Sequence, residues 1–167
     1  MRDNTEETEG LSETARYGVV DRETLRSQSG LEFLAAMTEG RLPRPPIMRL
    51  LDFNLTEFGE GWAHFVGIPG DQHYNPIGSV HGGYAATLLD SCMGCAVHSA
   101  LPRGTGYTTL EFKISFIKAM TNTTGPVRAE GRTIAVGKRV ATAEGSLRDA
   151  EGRLLAHGTT TCLVFPL

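Results

Sequence analysis

Between Tyr107 and Ile117 the chain alternates. Thr108, Leu110, Phe112, Ile114 and Phe116 fall on one side of an extended segment, and Thr109, Glu111, Lys113 and Ser115 on the other. That is the two-residue period of a strand. Three more segments of strand character follow, Val127 to Val136, Arg139 to Arg148 and Leu154 to Phe165, with turn chemistry at Thr123-Thr124-Gly125-Pro126 and Asp149-Ala150-Glu151-Gly152. Upstream, Leu50 to Thr56 and Trp62 to Ile68 flank the glycine-bearing Phe58-Gly59-Glu60-Gly61, the pattern of a hairpin. Between the two groups, His81 to Ala100 runs without a proline and ends before Pro102-Arg103-Gly104, which predicts one long helix. Nothing in this order repeats strand and helix in the way a doubly wound parallel sheet requires. The expected class is α+β, an antiparallel sheet around one central helix.

Ahead of this body, Ser29 and Gly30 can cap a short helix whose Leu31, Leu34, Ala35 and Met37 recur at steps of three and four, stopped by Gly40, Pro43, Pro45 and Pro46. Residues 1–28 carry few apolar side chains and predict a loosely ordered tail with a short helix around Arg22 to Arg26. The chain therefore divides into a polar tail over 1–30, an amphipathic helix with a proline-rich linker over 31–46, and a body over 47–167.

Composition narrows the function. At 167 residues the chain is one domain's worth, and 40% hydrophobic against 21% charged residues is ordinary for a globular protein. A net charge of −3 provides no basic field for DNA or RNA, so no nucleic-acid partner is expected, while small anionic ligands stay open. The start MRDNTEETEG lacks the basic and apolar regions of a secretory signal, and no stretch approaches the ~18 apolar residues of a membrane span, so the reading is cytoplasmic with no membrane partner. Three cysteines, an odd number, argue for a reducing compartment rather than a disulfide framework.

Candidate chemistry lies on the long helix. At 100° per residue Ala85, Leu88, Leu89, Cys92, Cys95 and Ala96 share the side a sheet would cover, and Asp90 lies almost opposite among the small Gly83, Ala86, Thr87, Gly94 and Val97. That small face is expected where another backbone or a ligand comes close. The helix opens on His81-Gly82-Gly83, whose free N–H groups and positive dipole end can face a developing oxyanion, with Asn75 and Ser79 just upstream. A carboxylate two turns further on can hold water against a carbonyl.

Rival motifs are weaker. Cys92-Met93-Gly94-Cys95 with His98 has the local spacing of metal ligands, but a redox pair wants an exposed helix start, and zinc wants four ligands where only Cys162 remains as a thiol. No metal is expected. Gly137-Lys138-Arg139 reads as a tight turn, Met93 and Tyr107 as packing residues, and His64, His73 and His157 show no paired acid at a meaningful spacing.

The stretch Asn75-Pro-Ile-Gly-Ser-Val-His-Gly-Gly-Tyr-Ala-Ala-Thr-Leu-Leu-Asp90, followed by Thr108-Thr109-Leu-Glu-Phe-Lys-Ile-Ser-Phe-Ile-Lys118, resembles the hotdog-fold acyl-CoA thioesterases of the phenylacetate-pathway type, in the 4-hydroxybenzoyl-CoA thioesterase superfamily. The resemblance runs from about Leu50 to the C-terminus. It implies a hotdog fold, homodimers or homotetramers with active sites between subunits, an acyl-CoA substrate hydrolysed to free acid and CoA, and no cofactor. Carried over by position, Asp90 matches the general base or nucleophile, Gly82 the N–H that polarises the thioester carbonyl, Asn75 a side chain that orients it, and His81 a residue near the leaving sulfur. Thr109 matches the hydroxyl that orients water, with Thr108 its alternative if the register slips by one. Lys118, Lys138, Arg139 and Thr159 match strand-end positions that hold the phosphates and pantetheine arm of CoA. Tyr84 departs from the small aliphatic residue expected after His81-Gly82-Gly83, and is read as shaping the acyl pocket. Two alternatives stand beside hydrolysis. A hotdog hydratase or dehydratase lacks its Asp-His dyad here, since His81 lies off the face of Asp90. A non-catalytic acyl-CoA-binding protein with a DNA-reading extension lacks the basic helices such an extension needs.

Overall fold

The computed structural model describes residues 17–167, and of the polar tail read over 1–30, positions 1–16 lie outside the described residues. Among the described residues four α-helices and six strands form: α1 (Arg22–Ser27), α2 (Gly30–Thr38), α3 (Pro46–Leu50), β1 (Phe53–Gly59), β2 (Trp62–Gly67), α4 (Gly82–Ser99), β3 (Thr105–Phe116), β4 (Val127–Val136), β5 (Val140–Asp149) and β6 (Leu154–Pro166). The strands form one sheet in the order β1-β2-β4-β5-β6-β3, and every neighbouring pair is antiparallel. The long α4 packs against it, as the sequence predicts.

Burial follows the helical period. Ala85, Leu88, Leu89, Cys92, Met93 and Ala96 are at most 1% exposed and meet the sheet with Phe53, Phe65, Ala129, Ala143 and Leu147. Each such leucine contributes roughly 1.5–3 kcal/mol by leaving water. Cys95, expected on this face, is instead half-buried against α2, and Met93 holds the place facing the sheet. The sheet admits the helix so closely because it has no side chains at the contact: a Cβ on Gly131 would lie 2.3 Å from the Cys92 carbonyl oxygen, and one on Gly145 would lie 3.0 Å from Met93 Cγ. These two glycines are direct partners across β4 and β5. Gly131→Ala therefore forces helix and sheet apart. Overpacking of this kind costs ~1–3 kcal/mol, which at ~2–4 °C per kcal/mol for a chain of this size lowers Tm by roughly 3–10 °C. A thermal melt by circular dichroism checks this, and an unchanged Tm would mean that the glycines do not set the spacing.

Three expectations are corrected, the first two at the N-terminal side. The prolines end α2 but also begin a helix: Pro46 is the first residue of α3, a position where its fixed φ is already helical and its missing N–H costs nothing. Leu50 is thus the last residue of α3, and β1 begins at Phe53 after Asp52 turns the chain with φ 49°. The segment from residue 17 is anchored rather than loose. The Gly18 N–H donates to the Arg44 carbonyl at 2.9 Å, the Gly104 N–H to the Arg26 carbonyl at 3.1 Å, and Asp21 caps α1. Helix α2, closed by a Ser29–Glu32 capping box, rests on the C-terminal half of α4, where Phe33 and His98 have ring centroids 5.2 Å apart.

The third correction concerns β3. Its ladder to β6 runs Thr109 to Cys162 and then Glu111 to Thr161, so Leu110 is a bulge. One extra residue exchanges the faces of everything beyond it. Tyr107 and Thr109 point at α4 before the bulge, and Ile114 and Phe116 do so after it, whereas a single alternation would set them on opposite sides. Among the described residues the far edge of β3 pairs with no strand, and Leu110, Phe112 and Phe116 on β3, with Ile117 just after it, are exposed.

Candidate active site

Asp90 sits half-buried on α4, and the Thr109 hydroxyl donates to its Oδ1 at 3.0 Å. The bulge makes this possible, because it lets Thr109 face the helix while the core-facing residues further along β3 keep their side. Thr108, the alternative at this position, is exposed on the opposite face.

The second group gathers at the start of α4. His81 is the N-cap: its Nδ1 accepts from the Gly83 N–H at 2.8 Å, and its carbonyl accepts from Tyr84 at 3.0 Å. The Gly82 N–H has no acceptor among the described residues. It lies beside an open cleft of about 240 Å³ lined by Val80, Gly82, Ala85, Phe116, Lys118 and Met120. Phe116 closes over Gly82, where a Cβ would meet the ring at 3.1 Å. Asn75 holds the preceding loop. Its Oδ1 accepts from Ile77 and Ser79 N–H at 3.1 and 3.3 Å, and its Nδ2 donates to Ser79 Oγ at 3.1 Å. The loop is tied down at its other end by Val80 N–H to the Met120 carbonyl, 2.9 Å, and by Asn122 Nδ2 to Asp71 Oδ1, 2.8 Å.

These two groups do not meet within one chain. Gly82 and Asp90 are separated by eight residues of α4, about 12 Å at ~1.5 Å of rise per residue. No single carbonyl spans that gap. Three of the four CoA-contact candidates divide in the same way. Lys118 lines the cleft beside Gly82, while Lys138 and Arg139 form the exposed turn between β4 and β5. That turn joins the Thr109 end of the sheet, since Val140 pairs with Leu163 and Leu163 with Thr108. Thr159 is not at a strand end. It lies mid-β6 between Lys113 and Glu144, exposed on the face away from α4, and joins neither group.

Several features were not read from the sequence. Tyr84 does not line the Gly82 cleft. It is 3% exposed in the core, stacked on His73 at a 4.4 Å centroid distance, and burial pushes its hydroxyl well above the usual tyrosine range. Burial likewise pushes the His73 imidazole below its ordinary pKa, and its Nδ1 accepts from the Gly70 N–H at 3.0 Å. His64, read as having no acidic partner, has one: Glu57 stands directly across the β1–β2 hairpin, 3.4 Å away, with Arg128 2.7 Å from the same Nδ1. The register of that hairpin was the signal available. Cys92 and Cys95 diverge, the first bonded to the Leu89 carbonyl beneath the sheet and the second facing α2 with His98. Burial pushes the Cys95 thiol up to about 12 and His98 down to about 4, so both are neutral near pH 7.

Comparison with known proteins agrees with this fold. Residues 77–156 match the thioesterase superfamily. A candidate esterase of Halobacterium salinarum is 35% identical over 96 residues, which cover 53% of this chain and 62% of that protein, so the match spans less than two thirds of the relative. A phenylacetic acid degradation-related protein of Ralstonia eutropha superposes with a TM-score of 0.71 at 26% identity, over 78% of this chain and 98% of that one. A hypothetical thioesterase protein of Streptococcus pneumoniae, solved with coenzyme A, superposes with a TM-score of 0.62 at 23% identity, over 68% and 86% of the two chains. No helix among the described residues is long and apolar enough to cross a membrane.

Proposed function

From the match of residues 77–156 to the thioesterase superfamily, and the hotdog architecture of the body around them, we infer that this chain hydrolyses acyl-CoA thioesters to a free acid and CoA. The observation that carries the reading is the Thr109–Asp90 hydrogen bond, which fixes a carboxylate on a helix whose far end offers a free N–H. With Asp90 as base, water adds to the thioester carbonyl carbon; with Asp90 as nucleophile, its carboxylate adds instead and water later hydrolyses the mixed anhydride. In both, the Gly82 N–H at the positive end of α4 stabilises the oxygen as its charge grows. The C–S bond then breaks and the thiolate of CoA takes a proton. Asn75 is assigned to orienting the carbonyl through the loop it holds, and His81 to the leaving sulfur. The S. pneumoniae protein solved with coenzyme A supports CoA as the carrier.

The 12 Å separation is resolved by two copies. In our reading one copy supplies Gly82, His81, Asn75 and Lys118, and the other supplies Asp90, Thr109, Lys138 and Arg139, so that basic groups lying at opposite ends of β3 in one chain converge on one CoA. The unpaired apolar edge of β3 is the surface such an association would cover. Size-exclusion chromatography with light scattering should give a dimer or larger assembly at micromolar concentration. A monomer with full turnover would sink the two-copy site.

The deciding assay offers the purified protein a panel of acyl-CoAs and follows released thiol. Turnover on at least one supports hydrolysis. CoA binding without thiol release would point to a sensor, and addition of water to an enoyl-CoA with the thioester intact would point to a hydratase.

A further inference from the structure

Tyr107 occupies a place that the proposed chemistry does not use. On β3 it precedes Thr109 by two positions and shares its face toward α4. Its ring packs on Gly94, where a Cβ would lie 3.0 Å from the hydroxyl, and Gly94 is one helical turn beyond Asp90. Its centroid lies 5.4 Å from that of His98, and both rings line an open apolar cleft of about 330 Å³. The walls of that cleft come from the N-terminal segment as much as from the hotdog body. Val20, Leu25, Phe33 and Pro45 line one side, and Cys95, His98 and Tyr107 the other. Its volume falls at the small end of ligand pockets, ~300–1,000 Å³. The neutral His98 and Cys95 place no charge against an apolar guest.

We propose that Tyr107 is the specificity-determining residue that limits acyl length, a one-residue partition between the Asp90–Thr109 pair and an apolar chamber roofed by α1 and α2. This rests on the acyl-CoA reading above. With the ring in place, acyl groups that end at the partition are accommodated and longer chains meet it. Without the ring the chamber becomes continuous with the site and takes the distal methylenes of a linear acyl chain. Gly94 belongs to the device, since any side chain there would push the ring toward the chamber.

The experiment compares kcat/KM for hexanoyl-CoA and dodecanoyl-CoA. A few methylenes gained or lost in an apolar pocket discriminate by tenfold or more. Tyr107→Ala should therefore raise the dodecanoyl-to-hexanoyl ratio at least about tenfold. Tyr107→Phe, which keeps the ring, should hold the wild-type ratio, and adding Val20→Trp to Tyr107→Ala should fill the chamber and restore the preference for the short chain. An unchanged ratio in Tyr107→Ala, or a ratio that Val20→Trp leaves high, overturns the proposal. Should Tyr107→Ala fail to fold, the same ratio in Tyr107→Leu decides. Should the wild type release no thiol from any acyl-CoA, hydrolysis fails and the partition is judged separately. Calorimetry would then show Tyr107→Ala gaining affinity for intact dodecanoyl-CoA but not for free CoA, and equal affinities would reject it.

Discussion

Replacing Asp90 by asparagine lowers thiol release at least about a hundredfold while leaving CoA affinity within about tenfold of wild type. The substitution keeps the shape, and an asparagine oxygen can still accept the Thr109 hydroxyl that holds Asp90 Oδ1 at 3.0 Å. What disappears is the negative charge and with it the basicity. General-base assistance is worth typically ~10²–10⁴-fold, and this loss falls on turnover rather than on binding, because the groups assigned to CoA lie elsewhere. Thiol release and CoA calorimetry on one folded preparation read both quantities. An unchanged rate would make Asp90 a solvated acid on the wet face of α4, and a parallel loss of folding, binding and rate would make it structural.

The second large effect is expected from Gly82→Pro, which deletes a single N–H. A backbone donor is ordinarily beyond the reach of mutagenesis, but here the fold permits it. Gly82 is the first residue of α4, where proline is favoured, and His81 before it has φ −61° and ψ 137°, the extended conformation that a following proline requires. Losing one oxyanion donor costs roughly 10²–10³ in kcat. Gly82→Ala is the control: it meets the same Phe116 ring and keeps the N–H, so it should retain most of the activity that Gly82→Pro loses. Together the two inactive variants test the two-copy arrangement. If a site takes Asp90 from one copy and Gly82 from the other, a refolded equal mixture of Asp90→Asn and Gly82→Pro contains mixed dimers with one intact site, and recovers about a quarter of wild-type activity. Mixed dimers without recovery would place each site within one chain.

The fold was legible because its two periods are clean. A proline-free helical stretch from His81 to Ala100 and four extended segments after it leave little choice of architecture, and α4, β4, β5 and β6 fall within a residue or two of where the pattern sets them. What the pattern could not show were events that break a period without changing composition. The Leu110 bulge is one: periodicity placed Thr109 opposite Ile114 and Phe116, so the residue that bonds Asp90 fell on the wrong side, and the choice between Thr108 and Thr109 stayed open. The Glu57–His64 pair is another, visible only once the hairpin register is known. Tyr84 was misjudged because its neighbours in the chain say nothing of His73, the residue it stacks on. Gly94 was taken as a docking point for a second backbone or ligand, but the close approach belongs to Tyr107 of the same chain.

Gly131 and Gly145 extend to a third partner, Gly158, so that a row of residues without side chains crosses β4, β5 and β6, the first two against α4 and the third against Lys113 and Ile114 of β3. This steric demand therefore runs at right angles to the covalent chain. A substitution at one of the three cannot be relieved by its neighbours in sequence, which point to the opposite face, and sliding β4 or β5 by one place would bring a side chain into the trough where the helix lies. The trough acts as a keyway: it admits α4 in one alignment of these two strands and rejects the others, so the helix that carries the chemistry also checks the register of the sheet as it docks.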